Sequence, residues 1–177
     1  MPEPFAEMLR GASNTLGRTE EVVAVVFENP DRASEVFDLF WQDDEWIRLR
    51  ANSVLKRLWR SDPTLIKPFI SRWVDEVARI EQPSVQWTFA QLFEECPALF
   101  EDDQRVAAIG HLCGYLESSE DWMVLNSAVQ TLSGLATSDV AIREFLLPHL
   151  HRLSKDGRKS VSRRATKALG LLETPNG

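Results

Sequence analysis

The sequence predicts an all-α protein: a right-handed α-solenoid of about four to five helical-hairpin repeats. Two observations carry this. Four segments superpose at a nearly constant step: Ile47-Arg48-Leu49-Arg50-Ala51, Val85-Gln86-Trp87-Thr88-Phe89, Val124-Leu125-Asn126-Ser127-Ala128 and Val161-Ser162-Arg163-Arg164-Ala165. Their fifth residues fall at 51, 89, 128 and 165, a period suited to paired helices stacked in a row. Within each copy the apolar residues recur at offsets 0, 4, 7, 8 and 11, as in Ile47, Ala51, Val54, Leu55 and Leu58. At about 100° per residue these offsets share one helical face. Alternation of period two is absent, which argues against strands.

The other copies follow the same rule. They give Val85, Phe89, Leu92, Phe93 and Cys96; then Val124, Ala128, Thr131, Leu132 and Leu135; then Val161, Ala165, Ala168, Leu169 and Leu172. Thr131 is the polar exception, and its hydroxyl can bond a carbonyl one turn earlier. Between these helices lie the second members of each pair. Asp62-Pro63 is an N-cap acid followed by proline at the first helical position, and Leu65, Ile66, Phe69, Ile70, Trp73, Val74 and Val77 make the stripe behind it. Glu101-Asp102-Asp103 opens the next, with Val106, Ile109, Cys113 and Leu116 expected inward. Asp139 opens a third, through Ile142, Phe145, Leu146, Leu150 and Leu153. Pro68 and Pro148 fall inside two of these helices and are expected to bend them, and Gly157 is placed to end the last.

The N-terminal third is less regular. Short helices are expected over 19–29 and 33–41, a small capping helix over 4–12, a loop over 11–17, and a frayed tail over 174–177. The expected organisation is a single domain over 1–177. It comprises an irregular cap with a shortened repeat (1–41), repeats 42–80, 81–118 and 119–156, and a half-repeat 157–173. End repeats that differ from middle ones suit a stack whose ends have one neighbour.

Composition bounds the class. The chain is 44% hydrophobic and 27% charged, with a net charge of −7. The acidic total argues against non-specific nucleic-acid binding. The charge is unevenly spread: residues 81–120 carry one basic and eight acidic side chains, and 121–177 carry eight basic and five acidic. No apolar run reaches the roughly 18 residues of a membrane helix. The Met1-Pro2-Glu3-Pro4 start lacks the basic and apolar regions of a signal peptide. Cys96 and Cys113 are expected as unpaired thiols in apolar phase, which fits a reducing cytoplasm.

Motifs for chemistry are absent from the sequence. There is no phosphate-cradling glycine loop, no G-x-S-x-G elbow and no context for a reactive cysteine. His149 and His151 stand about 200° apart on a helix, so they do not converge on a metal, and His111 with Cys113 fails likewise. The adjacent acids Glu94-Glu95 and Asp102-Asp103 suit solvated faces and helix starts, because acid–base pairs need two groups aimed at one substrate. No catalytic, metal or cofactor residue is therefore expected.

The pattern Asp43-Asp44-Glu45-Trp46-Ile47-Arg48-Leu49-Arg50-Ala51 resembles the HEAT-repeat family, whose second helices open with an acid followed by Val-Arg and small residues. Asp121 precedes Val124 similarly, with Leu125 where arginine is usual. Gln86 and Ser162 take that place in the other copies. The whole chain is similar to small bacterial HEAT-like proteins. The resemblance implies that the helices starting near 44, 84, 121 and 159 line a concave face. On those helices offsets +2 and +6 should point to solvent, giving a strip of Leu49, Trp87, Gln91, Asn126, Gln130, Arg163 and Lys167. Tryptophan and arginine dominate binding hot spots, so the strip is the expected contact surface for a protein partner, in a non-enzymatic scaffold or adaptor. Two alternatives follow from the resemblance. One is a relative of HEAT-like alkylpurine DNA glycosylases, although the strip lacks a central aspartate. The other is the repeat subunit of a lyase-type chaperone. The basic group His151, Arg152, Lys155, Arg158, Lys159, Arg163 and Arg164 is where an anionic partner would bind.

Overall fold

In a computed structural model describing residues 3–11 and 15–173, the chain is all-α, with no strand among the described residues. The expected tail over 174–177, and residues 12–14 of the expected loop, lie outside the described residues. The helices are α1 (Phe5–Met8), α2 (Thr19–Glu28), α3 (Ala33–Asp38), α4 (Glu45–Ser61), α5 (Ile70–Asp75), α6 (Pro83–Glu95), α7 (Asp102–Ser118), α8 (Trp122–Ala136), α9 (Val140–Leu153) and α10 (Lys159–Glu173). The chain divides into two compact units, one ending at Gln104 and the other beginning at Arg105. The division falls inside the expected repeat 81–118.

Helix starts follow local chemistry. Asp44 accepts from the Trp46 amide at 2.8 Å, Asp121 from Met123 at 2.8 Å and Val124 at 3.1 Å, and Asp139 from Ile142 at 3.0 Å. Each carboxylate satisfies amides that a helix start leaves without partners. Pro83 opens α6, where its missing N–H costs nothing.

In the first unit, α4 packs against α2 and α6. Ile47, Ala51, Val54, Leu55 and Leu58 on α4 are buried, as are Val85, Phe89, Leu92 and Phe93 on α6. Cys96 is half-buried and unpaired. Behind α4, Phe37 stacks on Phe69 with centroids 4.5 Å apart, and Trp73 meets Phe37 at 5.4 Å and Trp59 at 5.8 Å. The segment after Asp62 is not the continuous helix its stripe suggests. It runs through 3-10 turns at Pro63–Leu65 and Lys67–Phe69 before α5, then a third at Val77–Arg79. Pro68 therefore sits in a tight turn and bends no helix. Two prolines within six residues remove the amides an α-helix would need there.

Arg50 fixes the N-terminal segment. It is 1% exposed, and its guanidinium donates to the carbonyls of Leu9 (2.8 Å), Thr15 (2.9 Å) and Gly11 (3.3 Å). The loop closes at Gly17, whose φ of +59° suits glycine. A Cβ there would lie 3.2 Å from the Leu9 carbonyl. Arg48, two residues earlier and on the opposite side of α4, hydrogen-bonds Gln82 and the Gln42 carbonyl, and Gln82 donates to the Glu45 carbonyl at 3.1 Å. The starts of α4 and α6 are thereby tied together.

In the second unit, α8, α9 and α10 pack mutually. Val124, Ala128, Thr131 and Leu132 are buried on α8, and Val161, Ala165, Ala168 and Leu172 on α10. The Thr131 hydroxyl donates to the Ser127 carbonyl at 3.0 Å, the back-bond that lets a helix bury it. Pro148 lies inside α9, which continues through it. On α7 the inward face is Ala108, Leu112, Tyr115 and Leu116, whereas Val106 is 72% exposed. The run Val106-Ala107-Ala108-Ile109 is apolar throughout, so it selects no face by itself. Arg158 donates to the Glu120 carbonyl and Arg164 to the Gln130 side chain, joining α10 to α8.

Ala51, Ala128 and Ala165 are fully buried, with Phe89 in the corresponding place on α6. Ala128→Leu should overpack the α8 crossings and cost roughly 1–3 kcal/mol in thermal or urea unfolding. A melting temperature equal to the wild type would refute this packing register. Arg50→Met keeps the bulk but strips the donors from carbonyls it holds. It should destabilise by about 2–4 kcal/mol, since buried acceptors are left unpaired, and it should increase proteolysis within residues 9–17 first.

Candidate functional site

The seven strip residues divide between the units, with Leu49, Trp87 and Gln91 in the first and Asn126, Gln130, Arg163 and Lys167 in the second. Their exposure is not uniform. Leu49, Trp87, Gln91 and Asn126 are half-buried, whereas Gln130, Arg163 and Lys167 are exposed. The Gln91 Oε1 and Asn126 Oδ1 atoms are shielded from solvent and accept no hydrogen bond within the chain.

The reason is a second buried flank. At offset +5, Asn52 on α4, Ala90 on α6 and Val129 on α8 are all buried. Trp59 and Ala136, at offset +12, are buried as well. At 100° per residue, offsets +5 and +12 lie near 120–140°, so the covered arc extends well past the stripe seen in sequence. The exposed arc narrows, and offset +2 falls at its edge. On α10 the same flank is open. Thr166, at offset +5, is exposed, with Ser162 half-buried one turn before it.

That open flank forms a solvent-facing depression of about 500 Å³ lined by Ser154, Lys159, Ser162, Arg163, Thr166 and Lys167. Two of the strip residues, Arg163 and Lys167, are thus brought together, and Lys159 completes a row at i, i+4 and i+8 on one helix. The hydroxyls are oriented by their own backbone. Ser154 donates to the His151 carbonyl at 2.9 Å, Ser162 to Lys159 at 3.4 Å and Thr166 to Ser162 at 2.9 Å. Their oxygens are left as acceptors.

The basic cluster read from the sequence is largely consumed by structure. Arg158 pairs with Asp156, at 2.6 and 2.8 Å, and holds that carboxyl down at about 2 through its hydrogen bonds. Arg152 donates to the Leu116 carbonyl at 2.9 Å, Arg164 to Gln130, and His151 lies 3.1 Å from Glu173. Among the described residues, Lys155, Lys159, Arg163 and Lys167 make no ion pair. Lys167 is outside the cluster singled out by sequence adjacency, although its four-residue spacing from Arg163 was the available signal.

In the first unit, Arg10, Arg18, Arg32, Arg57, Arg60 and Arg72 pair with acids. Arg60 grips Glu95 with both nitrogens, and the Trp59 indole donates to the same carboxylate at 2.8 Å. The Arg60 hydrogen bonds hold the Glu95 carboxyl below the usual carboxylate range, helped by Trp59. Burial, with Arg60 nearby, pushes the Lys56 ammonium below the usual lysine range. Trp41 is 48% exposed and lies under the Arg72 guanidinium at 4.6 Å. Trp46 and Trp122, at helix starts, are 38% and 48% exposed.

The half-buried thiols of Cys96 and Cys113 are both pushed up by burial, away from the reactive thiolate. Among the described residues no three His, Cys, Asp or Glu side chains gather into a metal-holding group. No described helix is long and apolar enough to cross a membrane.

The sequence matches no known protein family and no curated protein. Among solved structures, the crystal structure of an engineered protein is similar to it. The two share 16% identity over 96% of this chain and 79% of the other, with a TM-score of 0.59, a likeness of fold.

The Glu95 contacts predict a pH dependence. A carboxyl depressed in the folded state stabilises above its unfolded pKa of about 4.3, and that contribution disappears as pH falls through the folded value. Glu95→Gln should therefore cost about 1 kcal/mol at pH 7, modest because the pair is partly exposed. Melting curves of the two proteins should converge below about pH 4. A gap that widens on acidification would contradict the assignment.

Proposed function

We propose that this chain is a non-enzymatic protein-interaction scaffold, built as a right-handed solenoid of HEAT-like repeats, that holds an acidic segment of a protein partner. One observation carries the reading: the exposed row Lys159, Arg163 and Lys167, which borders the flank that α10 leaves open at Ser162 and Thr166. In a chain of net charge −7, three cations that make no ion pair among the described residues face one depression. Complementary charge favours encounter with an acidic surface and disfavours other copies of this acidic chain. The repeat step and the all-α fold support the solenoid. The half-buried Trp87 and its neighbours Leu49 and Gln91 are a secondary contact surface in this reading.

The test is affinity capture from native lysate with wild type, the Lys159→Gln/Arg163→Gln/Lys167→Gln protein and Trp87→Ala, after nuclease treatment. Wild type should retain a discrete protein that the triple variant loses and that is released by raised salt. Trp87→Ala should weaken capture less than the triple variant does. Captured material that disappears with nuclease would favour the nucleic-acid alternative. Equal capture by the triple variant would place the binding surface elsewhere.

A further inference from the structure

The spacing and chemistry of the α10 depression say more about its occupant. Lys159, Arg163 and Lys167 succeed one another every four residues, a rise of about 6 Å per step along a helix. An extended peptide places every second side chain on one face, at about 6.4–6.8 Å. Three acids at alternate positions therefore register with the three cations, and flexible lysine stems absorb the small mismatch.

The hydroxyls choose among polyanions of similar repeat. Ser154, Ser162 and Thr166 spend their protons on their own backbone carbonyls and offer acceptors beside the cations. An extended peptide presents backbone N–H donors that such oxygens can accept. A helical peptide has bonded its amides internally, apart from its first turn. A DNA backbone offers only acceptors, which these oxygens would face unfavourably.

We infer that the depression lined by Ser154, Lys159, Ser162, Arg163, Thr166 and Lys167 binds an extended protein segment carrying acidic residues at alternate positions. This rests on the acidic-partner reading above and specifies the conformation and register of that partner. The cations bind the carboxylates, and the hydroxyl oxygens accept from the peptide backbone between them.

The experiment is fluorescence anisotropy with the full chain at low ionic strength and five labelled probes. They are a Glu-Ser-Glu-Ser-Glu peptide, the same composition as Glu-Glu-Glu-Ser-Ser, the alternating peptide with N-methylated backbone, a helix-forming peptide with Glu every fourth residue, and an oligothymidylate of equal charge. The alternating peptide should bind about threefold or more tighter than the block peptide. Each of Lys159→Gln, Arg163→Gln and Lys167→Gln should weaken it about two- to fivefold, the range for exposed ion pairs. These positions are exposed, so melting temperatures should not change. Thr166→Val should weaken the alternating peptide but not its N-methylated form. Equal binding of the alternating and block peptides, both lost in the triple variant, would overturn the register while the acidic-partner reading stands. Tighter binding of the helical peptide would overturn the extended conformation. Tighter binding of the oligothymidylate, or no binding of any probe, would overturn both the inference and that reading.

Discussion

A helix packed on two flanks has little surface left to present, and this constraint governs both units. On α4, α6 and α8 the apolar row at offsets 0, 4, 7 and 8 covers one flank, while Asn52, Ala90 and Val129 mark the second. What remains is a narrow arc, and Trp87 and Asn126 lie at its margin, half-covered. α10 obeys the same rule on its apolar face, through Val161, Ala165 and Ala168, but keeps its second flank in contact with solvent. The open surface of the second unit's candidate site follows from that single difference.

Charge is distributed under the same constraint. The buried Arg50 must spend its donors within the chain, and the exposed Arg60, Arg152 and Arg158 are engaged as well. Arg50 binds the N-terminal loop, Arg60 grips Glu95, Arg152 reaches Leu116 and Arg158 holds Asp156. The cations of the open α10 flank have no such structural duty. A sequence count makes residues 121–177 a broad basic region, and the fold reduces it to one row of three cations, with Lys155 nearby.

Much of the architecture was legible in the chain. The repeated segments located α4, α6, α8 and α10, and the acids Asp44, Asp121 and Asp139 marked helix starts that the structure caps as expected. Errors arose where the local signal was degenerate. The apolar run 106–109 offered several faces, and α7 took the one set by Ala108. The stripe after Asp62 satisfied helical periodicity, but Pro63 and Pro68 broke it into 3-10 turns. Of the strip residues, Gln130, Arg163 and Lys167 are exposed as read, while Leu49, Trp87, Gln91 and Asn126 are partly covered.

Sequence alone located α4, α6, α8 and α10, the caps at Asp44, Asp121 and Asp139, and the apolar face of each of those four helices, because these depend on neighbours within about four residues. Only the tertiary structure decided which second flank is covered, which arginines are consumed, and that Ser154 joins Lys159, Ser162, Arg163, Thr166 and Lys167 at one depression. Coverage of a flank depends on the helix packed beside it, and periodicity within a helix carries no record of that neighbour. Arg50 shows the same limit: the carbonyls of Leu9, Gly11 and Thr15 that it binds lie 35 to 41 residues away, beyond the reach of any local pattern.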